Sequence, residues 1–115
     1  MQLPDAAAAL SALAQGHRLA VFRLLVQAGE QGVAAGEIAR EVGVLANTLS
    51  THLAILSNAG LIRSRREGRS LIYTADYARM RDVLGFLLHD CCQGRPELCA
   101  PFVATASCGG SQTSQ

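Results

Sequence analysis

Apolar positions along the chain recur at helical spacing, change briefly to strand spacing, and then return to helical spacing. Residues 5–15, DAAAALSALAQ, are strong helix formers with Asp5 placed to cap and Gly16 to stop, which predicts a first helix. In HRLAVFRLLVQAG, Leu19, Phe22, Leu25 and Val26 share one helical face and Gly29 follows as a C-cap, so a second, well-buried helix is expected. The short glycine-bearing stretch from Glu30 to Val33 reads as a connector.

The segment GEIAREVGVLANTLSTHLAILSNAGLI is the most informative. Ile38, Ala39 and Val42 give a short helix its apolar face, Gly43 breaks it, and Leu49, Leu53 and Leu56 rebuild a helical stripe from about Ala46 to Ala59. Two helices joined by a tight glycine turn make a helix-turn-helix. Gly60 closes the second helix, after which LIR and SLIYTA flank Glu67-Gly68 as a hairpin, or wing. A final helix in YARMRDVLGFLLHDCC carries Tyr77, Met80, Leu84, Leu87 and Leu88 on one face, continues to Cys91, and runs to about Cys92 before Gly94 and Pro96 stop it. The expected architecture is mainly α with a small β-hairpin wing: a winged helix-turn-helix. It occupies one domain over residues 1–106, with the small, polar residues 107–115 as a disordered tail.

A chain of 115 residues, half of them hydrophobic, supports one modest core, and sharing it with a second copy would add stability. The apolar stretch Met1 to Ala14 contains Asp5 and no basic residue, which reads as mature protein and not as a signal peptide. No apolar run is long enough to cross a bilayer, so no membrane association and a cytoplasmic location are expected. Thiols stay reduced in that compartment, and four cysteines crowded between Cys91 and Cys108 therefore suggest ligands or redox chemistry before disulfides. No Ser/His/Asp grouping, phosphate loop or paired carboxylates suggests catalysis, and an enzyme is not expected.

The net charge of +1 is uninformative, but its distribution is not. Between Ala46 and Ala75, Arg63, Arg65, Arg66 and Arg69 stand against Glu67 alone, whereas acids outnumber bases elsewhere. On the second helix of the pair, Asn47, Thr48, Ser50, Thr51 and His52 are polar while the leucine stripe must dock on the core. The polar turns are then free to enter a major groove, where short donors and acceptors reach base edges. The four arginines around the hairpin tip suit phosphates or an adjacent minor groove. A solvated hairpin and a half-buried structural His52 are the plainer readings of the same residues.

The string S50-T-H-L-A-I-L-S-N-A-G-L-I62, then RREGR and Tyr73, resembles the recognition helix and wing of the ArsR/SmtB family of metal-sensing repressors. LAQGHRLAVFRLL is similar to that family's second helix, and the likeness covers about residues 8–92. It implies a homodimer whose first and last helices pack together, bound to double-stranded operator DNA and released by an inducer.

The family's cysteine pair before the recognition helix is missing, since GEIAREV has no Cys, and only Asp82 and His89 are candidates for a zinc site along the last helix. What remains is Cys91, Cys92 and Cys99, with a turn from Gln93 to Leu98 able to return Cys99 to the helix end. Three thiolates suit a soft ion, whereas zinc asks for a fourth ligand. The spacing resembles one class of arsenite-responsive repressors, which implies As(III) or Sb(III) as inducer and Cys91, Cys92 and Cys99 as its ligands. A Zn(II) site completed by His89 or Cys108, a thiol redox sensor, and buried cysteines acting as small hydrophobes are the alternatives.

Overall fold

The structure is a computed structural model, and it describes residues 1–88. The elements run α1 (Leu3–Leu13), α2 (Gly16–Ala28), a 3-10 turn (Gly29–Gln31), β1 (Val33–Ala34), α3 (Ala35–Val42), α4 (Ala46–Asn58), β2 (Ile62–Glu67), β3 (Ser70–Ala75) and α5 (Tyr77–Leu88). The expected end of the last helix near Cys92, the cysteine loop and the polar tail lie outside the described residues.

Helix α1 starts earlier than its composition suggested. Asp5 sits within its first turn, where its carboxylate accepts the Gln2 backbone N–H at 3.3 Å. Gly16 opens α2 instead of merely ending α1, because the Gln15 side chain caps α2 by accepting the Arg18 N–H at 2.9 Å. Arg18 Nε donates back to the Ala12 carbonyl at 2.7 Å, lacing the two helices together. The buried side of α1 consists of Ala6, Ala9 and Ala12, small enough to let its backbone lie close to the core.

The connector after α2 contains a strand that its two-residue length concealed. Val33 and Ala34 pair antiparallel with Tyr73 and Ile72, giving a three-stranded sheet of order β1-β3-β2. The β2–β3 ladder runs from Ile62–Ala75 to Glu67–Ser70, so the tip is Gly68-Arg69, one residue beyond the expected pair. Gly68 supplies the positive φ of 61° that a tight hairpin turn requires.

The core gathers Val21 and Leu25 of α2, Ile38 of α3, Leu49, Leu53 and Leu56 of α4, and Leu61 at the start of the wing. Tyr77 ties α5 to α2 by donating its hydroxyl to the Val26 carbonyl at 2.9 Å. Just before α5, Asp76 accepts the Arg79 N–H at 3.0 Å and Arg63 Nε at 3.1 Å. Burial pushes the Asp76 carboxyl up, but the Arg79 N–H, the Arg63 side chain and the Ala78 N–H outweigh it and hold it below the ordinary carboxylate value. On α5 the inward position is Val83, which the expected stripe omitted, with Tyr77 and Met80 half-buried beside it. Leu84 and Leu87 are instead 38% and 53% exposed, and they line an apolar groove with Leu10, Leu19, Phe22 and Met80.

Candidate nucleic-acid interface

Helix α3 ends at Gly43, whose left-handed φ of 80° lets its N–H and that of Val44 both close on the Ala39 carbonyl. The chain then turns sharply into α4. Leu49, Leu53 and Leu56 hold α4 to the core, and Asn47, Thr48, Ser50 and Thr51 face outward on its first two turns. Asn47 Oδ1 accepts the Thr48 N–H at 2.9 Å, and the Ser50 hydroxyl donates to the Ala46 carbonyl at 3.2 Å. The lone pairs of Ser50, both threonine hydroxyls and the Asn47 amide N–H groups point to no partner among the described residues, which is what base-edge readout requires. Leu45, 74% exposed at the N-cap of α4, adds an apolar group to this surface. The signal for it was a leucine lying outside the 49/53/56 stripe, and a thymine methyl is the base feature such a side chain fits.

His52 does not belong to this face. It is 8% exposed, its Nδ1 has no hydrogen-bond partner among the described residues, and its ring lies 5.6 Å from that of His17. The reason is periodicity: 49, 52, 53 and 56 form one helical stripe, and His52 lies inside it. Burial, then the Arg18 charge, then His17 push its pKa below 6.5. The unfolded chain therefore takes up the proton first, and the stability His52 confers is complete above pH 6.5 and lost as pH falls through the folded value. Urea melts at pH 7.5 and 5.0 are expected to show a larger acid loss for wild type than for His52→Gln, and equal losses would remove His52 as the cause.

The four wing arginines divide into two pairs. Arg63 and Arg65 are engaged within the protein: Arg63 with Asp76, and Arg65 with Glu67 at 2.6 Å and with the Glu30 and Gln31 carbonyls. Arg66 and Arg69 are exposed and make no hydrogen bond or ion pair among the described residues. No three His, Cys, Asp or Glu side chains come together among the described residues. The sensor candidates Cys91, Cys92 and Cys99, and the alternatives His89 and Cys108, lie outside them.

A helix-turn-helix with a polar outer face on its second helix, followed by a hairpin wing that β1 extends to a three-stranded sheet, defines a winged helix-turn-helix DNA-binding domain. Comparison with known proteins agrees. The family model for the helix-turn-helix domain matches residues 13–65. The HTH-type transcriptional regulator YgaV of Escherichia coli is 32% identical over 88 residues, 76% of this chain and 87% of that protein. The winged helix-turn-helix domain of Mb0332 from Mycobacterium bovis, described as homodimeric and possibly of the ArsR family, is 33% identical over 76% of this chain and 82% of its own, with a TM-score of 0.61. An ArsR-like regulator from Rhodococcus shares the fold, with a TM-score of 0.70 over 90% of this chain and 93% of its own at 22% identity. The chain belongs to the ArsR-type winged helix-turn-helix transcriptional regulators and is not an enzyme. No helix among the described residues is long and apolar enough to cross a membrane.

Proposed function

We propose that this chain is a homodimeric repressor that holds a palindromic operator and releases it when As(III) or Sb(III) binds Cys91, Cys92 and Cys99. The observation that carries the DNA half is the outward set Asn47, Thr48, Ser50 and Thr51 on α4, flanked by the free guanidinium groups of Arg66 and Arg69. A dimer presents two such helices about 34 Å apart, one turn of duplex. The sensor half draws on three thiols within nine residues, beginning three residues after the described end of α5. Helix α5 lines the apolar groove on which a second copy would pack. An ion that draws Cys99 to the end of that helix changes how the two copies meet, and it needs only different affinity for two dimer states.

The test is a titration of reduced protein on a duplex carrying its own promoter, read by fluorescence anisotropy, with arsenite, antimonite, Zn(II) or peroxide added. Release by arsenite or antimonite, blunted in Cys91→Ser, Cys92→Ser and Cys99→Ser, is the expected result. Unimpaired release in all three variants overturns the ligand assignment. Release by Zn(II) alone or by peroxide alone replaces it with zinc or redox sensing.

A further inference from the structure

Side chains alternate along a strand, so Arg63, Arg65 and Glu67 share one face of β2 while Ser64 and Arg66 take the other. Each of the three guanidinium nitrogens of Arg65 donates inside the protein: Nε to Glu67 Oε2 at 2.6 Å, Nη1 to the Glu30 carbonyl at 3.1 Å, and Nη2 to the Gln31 carbonyl at 2.9 Å. These carbonyls belong to the 3-10 turn that precedes β1, on the far side of the central strand β3. The guanidinium therefore spans the sheet from one edge to the other.

Its place in the register gives this span a consequence. β1 covers only Tyr73 and Ile72 of β3, and Ile72 is the residue paired with Arg65. The next pair outward, Arg66 with Leu71, belongs to a part of the hairpin that has two strands only. Arg65 thus ties the last pair of the three-stranded part back to the turn that precedes β1, and Arg66 and Arg69 ride on the unsupported part beyond it. A two-stranded ribbon twists more than a wider sheet and is marginal alone, so its root decides where the tip points. A planar guanidinium holding two successive carbonyls fixes an angle that a single point charge does not. Glu67 against Arg65 also repels a phosphate from approaching that guanidinium.

We infer that Arg65 is a positioning residue for DNA binding: it braces the wing against the turn after α2 so that Arg66 and Arg69, and not Arg65, meet the phosphates. The inference rests on the DNA-binding reading of this surface. Loss of a charged fork on two carbonyls is expected to weaken binding about tenfold.

The experiment measures affinity for the promoter duplex and for a mixed-sequence duplex across a salt series. Arg66→Gln and Arg69→Gln are each expected to lower the salt slope by about two per dimer, as loss of one phosphate contact in each copy does. Arg65→Gln is expected to weaken binding and to lower the slope in the wild-type background, yet to change affinity less than about twofold in the Arg66→Gln/Arg69→Gln background, since its effect passes through those two residues. Arg65→Lys is expected to behave as Arg65→Gln. The inference is overturned if Arg65→Gln lowers the slope by about two per dimer in both backgrounds, which marks a direct phosphate contact. It is equally overturned by an equal loss in both backgrounds at constant slope, which marks general damage to the fold, by no loss in either, or by full rescue with lysine. A wild-type protein that binds neither duplex would instead remove the DNA-binding reading itself.

Discussion

Replacing Gly32 by alanine is expected to destabilise the fold by about 3 kcal/mol or more, the sum of a backbone conformation reserved for glycine and a steric conflict with a central strand. Gly32 has φ 72° and ψ −175°, a region that side-chain-bearing residues scarcely enter. A Cβ there would lie 2.6 Å from the Tyr73 carbonyl oxygen, 2.7 Å from Ile72 Cγ2 and 2.8 Å from Thr74 Cγ2. The carbonyl belongs to β3, which is paired on both sides and cannot move without breaking a ladder. Gly29 is the internal control, because its φ of 77° is similar but a Cβ there meets nothing within 4 Å. Gly29→Ala should therefore bear only the conformational cost, about 1–3 kcal/mol. Urea melts of the two variants check this, and equal losses would show that the contacts with β3 add nothing. Since Gly32 sits between the carbonyls that Arg65 grips and the strand that anchors the wing, the same variant should also weaken DNA binding.

What the chain disclosed of itself follows from the range of each interaction. The helix-turn-helix and hairpin were legible because their signals are local: Gly43 and Gly60 bound α4, and the leucine stripe fixes which side faces in. Strand β1 was not, since two residues have no readable period and Val33–Ala34 is a strand only through Tyr73 and Ile72, about forty residues away. The polar face of α4 was legible apart from His52, whose chemistry suggested the surface while its position in the 49/52/53/56 stripe dictated burial. The arginines show the limit most clearly. Composition marked all four as equivalent, but the engagement of Arg65 depends on carbonyls 34 and 35 residues earlier in the chain. On α5 the larger Leu84 and Leu87 mask the inward place of Val83. A stripe broad enough to serve two surfaces does not say which member faces the chain's own core.

That division of α5 leads to the second large effect. Val83 faces the core, whereas Leu84 and Leu87 turn to the open groove shared with Leu10 of α1 and Leu19 of α2. If a second copy covers this groove, the part of each leucine still exposed leaves water for about 1 kcal/mol, and a carboxylate in its place forfeits that and must also be desolvated. Leu84→Glu/Leu87→Glu is therefore expected to yield a monomer by sedimentation velocity at concentrations where wild type is a dimer. Helix α4 lies elsewhere, so each single head should keep its own contacts and lose only the linkage to its twin. Tethering two heads gives the second an effective concentration in the millimolar range, and its loss should lower operator affinity by at least about a hundredfold. Arg81, exposed on α5 but not part of the groove's lining, supplies the comparison, and Arg81→Glu should leave the dimer intact. A Leu84→Glu/Leu87→Glu protein that stays dimeric and binds its promoter as wild type does would mean that the copies meet through another surface, and any route from an inducer to the recognition helices would then have to be sought there.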